Sequence, residues 1–361
     1  MNKIVVTAIL FTICWPSFGQ TVSSVSGSIT DGESITISGL SFGSNGPTVS
    51  IFADFEEASN GDNLTTGPGS ANFGEWDHAL QESGNNTYSN IASVSGSLSA
   101  RFDNTPYSGY NYLGDEYPDT NREILVSWWL YLPSNNYYPG ESGGTINWKQ
   151  IWVAGTGTND DDLVIPVQLT TTWLVNGNDP DPGYSNYTTI GFTKGRWSRV
   201  TVWMKGGTNS TSNDGNFHLW YLNEDHDMTH QESDDTANIL KESGAWERMR
   251  INAYAYSSDP CYPHFDDVYV AYGDYARARV EIGDASTYTS CRNMTILRPT
   301  AWSTTEITAV VNQGSFAEDD AAYLFVVDSD GNVSDGYAVT IGASESASIT
   351  APTSLTANKV E

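Results

Sequence analysis

Aromatic, amide and cationic side chains recur at every second position in four short stretches, and the chemistry of this sequence is read from that pattern. A strand turns alternate side chains to opposite faces. In NWKQIWV (147–153), Ile151 and Val153 form an apolar face, so Trp148, Gln150 and Trp152 take the other. In 123–131, Ile124, Val126, Trp128 and Leu130 sort inward, against Glu123, Ser127, Trp129 and Tyr131 outward. In 198–205, Val200, Val202 and Met204 point in, while Arg199, Thr201, Trp203 and Lys205 point out. In 249–256, Ile251, Ala253 and Ala255 point in, and Arg250, Asn252, Tyr254 and Tyr256 point out. Four strands are therefore expected to contribute one outer face of rings, amides and cations. Such a face suits sugars, because rings stack on pyranoses while amides and cations bind hydroxyls and carboxylates. A soluble protein rarely exposes so many rings without a use. The competing expectation is that several of them pack beneath loops or against a neighbouring domain.

Other chemistry is sparse. His78, His218 and His264 stand singly, and His264, beside a strand, is the reserve candidate for a general base. His218 alternates with core residues next to Trp220, which fits stacking better than catalysis. Asp160-Asp161-Asp162 lies among Gly and Asn and reads as a solvated loop. Asp328-Ser-Asp330-Gly-Asn332 reads as a hairpin turn, its glycine falling too early for an EF-hand.

The elements that must hold these residues are strands. Helical periodicity is confined to a short turn around Thr236 to Glu242; elsewhere Val, Ile, Thr, Trp and Tyr runs alternate with Gly, Asn, Asp, Ser and Pro clusters. The expected fold class is all-β, a sandwich of antiparallel strands. Lys3, the apolar run from Ile4 to Cys14 and the polar stretch to Gln20 predict a signal peptide, residues 1–19, cleaved after Gly19. That run is too short to span a bilayer, so a secreted chain without membrane insertion is expected. A formal charge of −28, from 44 acidic and 16 basic residues, disfavours nucleic acid and anionic membranes as partners. Cys261 and Cys291 remain after cleavage, and in an exported protein the pair is expected to form a disulfide, with two buried free thiols as the alternative. Residues 344–361, rich in Ser, Ala and Thr, read as a flexible tail.

Two resemblances extend this reading. VSSVSGSITDGESITISGLSFG (22–43), and later Trp302-Ser303, Thr305, Ile307 and Thr308, resemble the two halves of an IPT/TIG immunoglobulin-like module. Neither half has enough strands to close a sandwich, which implies one small domain, 20–50 with 276–343, interrupted by an insertion. The insertion, 51–275, opens with Ile51-Phe52-Ala53-Asp54-Phe55-Glu56 and closes with Phe265-Asp266-Asp267-Val268-Tyr269-Val270. Those ends resemble the paired first and last strands of concanavalin A-like jelly rolls, among them polysaccharide lyases and glycan-binding domains. The resemblance implies a structural calcium near Glu56 and Asp266, with no cofactor otherwise required.

Alginate lyases of this fold carry a Q-I-H strand; Gln150-Ile151-Trp152 keeps the glutamine and puts tryptophan where the histidine would stand. Their R-x-E-x-R strand is echoed only by Arg122-Glu123. Trp129, Tyr131, Pro133 and Gly143-Gly144, with Lys149 displaced, resemble a stretch of lyases acting on glucuronans and alginates. That likeness implies Gln150 near a substrate carboxylate and Lys149, Tyr184 or Tyr187 in proton transfer. The E-x-D-x-x-E run of retaining glycosidases of this fold is absent. The leading expectation is polysaccharide recognition through Trp129, Tyr131, Trp148, Trp152, Arg199, Trp203, Asn252 and Tyr254. A polysaccharide lyase and a structural or adhesive extracellular protein are the alternatives.

Overall fold

The computed structural model describes residues 19–345, apart from 83, 105–107, 139–147, 156–162, 170–171, 178–184, 188–191, 209–211, 238, 240–244 and 257–258; for the strands between 163 and 187 only the backbone is described. All but the last residue of the expected signal peptide, most of the expected tail, Gly143-Gly144, Asp160-Asp161-Asp162 and Tyr184 lie outside the described residues.

The middle of the chain folds into two antiparallel sheets. The back sheet runs His226–Ala237, Gly215–Asn223, Ser198–Lys205, Glu123–Tyr131, His264–Tyr272, Ser99–Arg101 and Thr87–Ser89. The front sheet runs Ser185–Tyr187, Thr172–Gly177, Leu163–Leu169, Trp148–Gly155, Trp246–Tyr256, Asn111–Asn121 and His78–Gln81. Between them lies one core, with Ile124, Val126, Trp128, Val200 and Val202 from the back and Ile151, Val153, Met249 and Ile251 from the front. The period-2 alternation thus sorts these inward residues correctly, and the result is a jelly-roll-like all-β sandwich. Thr48–Ala53 pairs antiparallel with His264–Tyr272, Val268 opposite Ala53 and Val270 opposite Ile51, so the opening and closing strands of this sandwich meet. Of the segment expected as a helical turn, Thr236 and Ala237 end the strand His226–Ala237, and 238 and 240–242 lie outside the described residues.

Both ends of the chain build a third assembly, in the order Tyr337–Thr340, Ala321–Val327, Arg279–Gly283, Met294–Trp302, Glu306–Val310, Ser34–Leu40, Thr21–Ser28 and Ser344–Glu345. Met294–Trp302 joins its two layers. Its first half pairs with Arg279–Gly283 and its second half, from Arg298, with Glu306–Val310. The layers enclose their own core of Val25, Ile35, Ile37, Ile282, Leu297, Ile307, Leu324 and Val326. Trp302 ties the N-terminal strands in, donating its indole N–H to the Phe42 carbonyl at 3.0 Å. Gly46 is required there, since a Cβ would stand 2.7 Å from the indole ring.

The chain-end assembly covers the outer face of the back sheet. Trp129, Leu222 and Met228 pack with Tyr288, Met294 and Phe325, and Leu125, Trp203 and Tyr269 pack with Ala276 and Ile296. At the centre of this seam the Arg199 guanidinium is ion-paired to Glu281, with side chains 2% and 0% exposed. Arg279 Nε stands 3.3 Å from the same carboxylate, and Tyr288 donates to it at 2.5 Å. Burial alone would raise the Glu281 pKa, but the two arginines and Tyr288 hold it down to about 2. Arg277 lies 4.5 Å over the Trp203 ring and Arg298 4.3 Å over Phe73, adding cation–π contacts to the seam. No disulfide joins Cys261 and Cys291. Cys261 belongs to the jelly-roll core and Cys291 to the seam, so the even count does not signify a pair.

Glu281→Gln leaves two buried guanidiniums without their anion and is expected to cost about 3–5 kcal/mol in urea unfolding. A second expectation concerns pH. Burial raises Asp115 to about 8, with Asp77 and Glu116 adding repulsion, and raises Asp267 to about 7. Those groups bind more protons folded than unfolded between their ordinary range and pH 7–8, so stability falls as pH rises through that window. Glu281 has the opposite sign, and its contribution is lost as pH falls from its ordinary value of 4.5 toward about 2. Unfolding followed by urea titration across pH is therefore expected to show a stability maximum in mildly acid solution. A tenfold difference in proton affinity between the folded and unfolded chain is worth about 1.4 kcal/mol.

Candidate functional site

The four aromatic stretches do not share one face. Glu123–Tyr131 and Ser198–Lys205 lie in the back sheet, and Trp148–Gly155 and Trp246–Tyr256 in the front sheet, so their outward residues lie on opposite sides of the sandwich. Trp129 and Trp203 are each 5% exposed, buried in the seam with Arg199. The expectation that such rings pack against a neighbouring unit holds for Trp129 and Trp203, and Arg199 is buried with them. Tyr131 and Trp129 line a cleft at the edge of that seam.

The front sheet keeps an open face. Lys149 lies directly opposite Tyr254, and Trp152 opposite Arg250, across the pairing of Trp148–Gly155 with Trp246–Tyr256. Lys149 Nζ stands 5.4 Å from the Tyr254 ring centroid. The Arg250 guanidinium lies 4.5 Å over Tyr112 and 5.9 Å over Trp152. Tyr110 completes the group, 6.2 Å from Trp152 and 5.5 Å edge-on to Tyr254. Gly114 pairs with Arg250 from the neighbouring strand; a Cβ there would come within 3.4 Å of the arginine stem. Two cations and four rings thus form a continuous aromatic and basic surface. Partial burial lowers the Lys149 pKa from its ordinary value. Tyr110 and Tyr112 are the functional candidates that sorting the four stretches misses, although Tyr110, Tyr112 and Gly114 repeat with the same period of two.

Gln150 lies in the same strand, fully buried, and neither end of its amide has a hydrogen-bond partner among the described residues. An orphan amide of this kind marks a place where a ligand or water completes the structure. Tyr187 lies in the edge strand of this sheet, opposite Leu174, with its side chain outside the described residues.

Besides Arg199 and Trp203, three more expected site residues lie elsewhere than expected. Trp148 turns into the core because the pairing of its strand with Trp246–Tyr256 slips between Lys149 and Ile151. Asn252 causes that slip: its φ is +50°, a conformation asparagine tolerates better than most residues. The bulge turns its amide inward, where Oδ1 accepts from Trp148 Nε1 and Asn104 Nδ2, each at 3.0 Å. Its Nδ2 donates to Asn104 Oδ1 at 2.9 Å and to the Asn111 carbonyl at 2.7 Å. His264 is in the back sheet, fully buried, 2.9 Å from Ser99 Oγ. Burial, with the Arg101 charge, pushes its pKa down to about 3, so it is neutral and remote from Lys149.

Glu56 and Asp266 are committed to backbone. Glu56 accepts from the N–H of Ser97 at 2.7 Å and from Leu98, and Asp266 accepts from Val94 N–H at 2.6 Å. Among the described residues no three His, Cys, Asp or Glu side chains gather as a metal site.

No family model matches the sequence, and no curated protein does. Solved structures similar to it include an endo-β-1,4-glucuronan lyase of the fungus Trichoderma reesei, 14% identical over 54% of this chain and 90% of that one, with TM-score 0.39. The PL-14 alginate lyase of Aplysia kurodai is 11% identical over 51% of this chain and 86% of its own, with TM-score 0.41. A GH131 β-glucanase catalytic domain of Podospora anserina is 12% identical over 68% and 100%, with TM-score 0.36.

Asn252→Ala removes four hydrogen bonds and leaves a positive φ to a residue that resists it. It is expected to destabilise the fold by about 2–4 kcal/mol in urea unfolding, with Asn252→Gly less damaging to the bulge itself.

Proposed function

We propose that this is a secreted polysaccharide-recognising protein whose glycan lies across the open face of the front sheet. One observation carries the reading: in a chain of net charge −28, Lys149 and Arg250 occupy adjacent paired strands, each laid against an aromatic ring. Rings at that spacing stack on successive pyranoses, and the cations supply hydrogen bonds to hydroxyls or carboxylates. The chain-end assembly is read as an IPT/TIG-type immunoglobulin-like module, interrupted by the jelly roll between residues 51 and 275. The signal peptide expected at residues 1–19 is the support for export.

A second reading, a polysaccharide lyase, is favoured by Gln150 and Lys149. An amide beside the substrate carboxylate would stabilise charge gathering there as a base removes the proton on the adjacent carbon. The C–O bond one carbon further then breaks, a C=C bond forms, and the leaving oxygen takes a proton. Lys149, its pKa lowered by burial, is one group on this face suited to proton transfer, with Tyr184 or Tyr187 as the alternative.

Retention on a panel of uronate and neutral polysaccharides, with ultraviolet absorbance followed in parallel, separates the readings. Saturable retention without absorbance change is expected for recognition, with Trp152→Ala and Arg250→Ala each weakening it about tenfold, ~1.4 kcal/mol. Rising absorbance abolished by Gln150→Ala would establish the lyase. Retention unaltered by all three substitutions would remove the open face from either reading.

A further inference from the structure

The cleft at the edge of the seam is a cavity on the opposite side of the sandwich from Lys149. It has a volume of about 290 Å³, and its walls come from both the jelly roll and the chain-end assembly. Trp129, Tyr131 and Trp197 supply the apolar wall, and Arg292, Asn293 and Ser315 supply the facing polar wall. Tyr131 and Trp197 lie 5.4 Å apart at 36°, a tilted pair of rings. Ser315 donates to Asn293 Oδ1 at 2.9 Å, which fixes that amide with its nitrogen left for another acceptor.

The charges around this cleft differ from those of the open face. Arg196 is paired to Glu224 at 3.1 Å and to Asp225, and Arg292 to Asp227 at 2.5 Å. Each cation therefore already has its anion, and the surroundings offer hydrogen bonds without net positive charge. A carboxylate-bearing ligand would meet Glu224 and Asp227 with no unmatched cation to offset them. The volume is at the small end of ligand pockets, ~300–1,000 Å³, which suits one or two sugar rings rather than a chain.

We propose that this cleft is a second carbohydrate site, specific for a short neutral saccharide, and that the chain-end assembly supplies half of it. Rings of Tyr131 and Trp197 take the apolar face of a pyranose, while Asn293, Ser315 and Arg292 bind its hydroxyls. The site is separate from the open face, so its success or failure does not depend on the reading of Lys149 and Gln150.

The test is calorimetric titration of the full-length protein with cellobiose, mannobiose and laminaribiose, and with a uronate disaccharide as comparison. Saturable binding of at least one neutral disaccharide, in the millimolar range or tighter, is expected. Trp197→Ala should weaken it at least tenfold. Ser315→Trp, at an exposed turn position on the cleft wall, should fill the cleft and do the same. Leu40→Ala, at an exposed position outside both sites, should leave this binding unchanged. Failure of all three neutral disaccharides to bind would overturn the proposal. So would binding that survives both Trp197→Ala and Ser315→Trp.

Discussion

Glu281 is fully buried and shared between Arg199, Arg279 and Tyr288, and the arrangement of the whole molecule follows from it. Taking three charges out of water is costly unless each finds its partners in good geometry. Arg199 comes from the jelly roll, and Glu281 and Arg279 from the chain-end assembly, so the condition is met in one relative placement of the two. The jelly roll prepares its side: Ser127 accepts from Arg199 Nε at 3.1 Å and lies 2.9 Å from Thr201, inside an otherwise aromatic surface. The cluster orients more than it stabilises, and the apolar packing of Trp129, Trp203, Tyr269, Ile296 and Phe325 around it provides the adhesion.

That seam divides the two faces of the sandwich. The back sheet gives up Trp129 and Trp203 to the second unit, and the cleft lined by Trp129 and Tyr131 opens at its margin. The front sheet keeps Tyr110, Tyr112, Trp152 and Tyr254 at the surface, with Lys149 and Arg250 among them. A strongly acidic protein thereby retains one local basic and aromatic surface, while the arginines at the seam are neutralised by carboxylates or spread over rings.

Buried polar groups set the finer geometry. Asn252, saturated by Asn104, Asn111 and Trp148, holds a bulge that turns Lys149 and Tyr254 toward each other on the outer face. In the back sheet the pairing with Glu123–Tyr131 slips between Asp266 and Tyr269, where Asp267 has a φ of +44°. Asp266 there holds Val94, which borders the cleft, and Asp267 holds the adjacent Ser95, at 2.6 Å each. Both irregularities use residues with short polar side chains, which satisfy the backbone where regular pairing stops.

Strand class and the inward side of each strand are legible in the residues alone. Ile124, Val126, Trp128, Ile151, Val153, Val200 and Val202 all face one core, because the pleat of a strand is local and alternates whatever its neighbours. The meeting of 51–56 with 265–270 is legible too, from their resemblance to paired terminal strands. What the residues do not encode in any local pattern is which sheet each strand joins, and therefore which outward residues meet. Trp129 and Trp203 have the same local pattern as Trp152, yet they are buried beneath Met294 and Ile296, residues far along the chain. Trp148 and Asn252 escape the alternation because a single left-handed residue shifts it. Cys261 and Cys291 pair by count, while folding puts them in different cores. Alternation is set by neighbouring backbone atoms, whereas exposure and partnership are set by burial between distant segments, which exists only once the chain has folded.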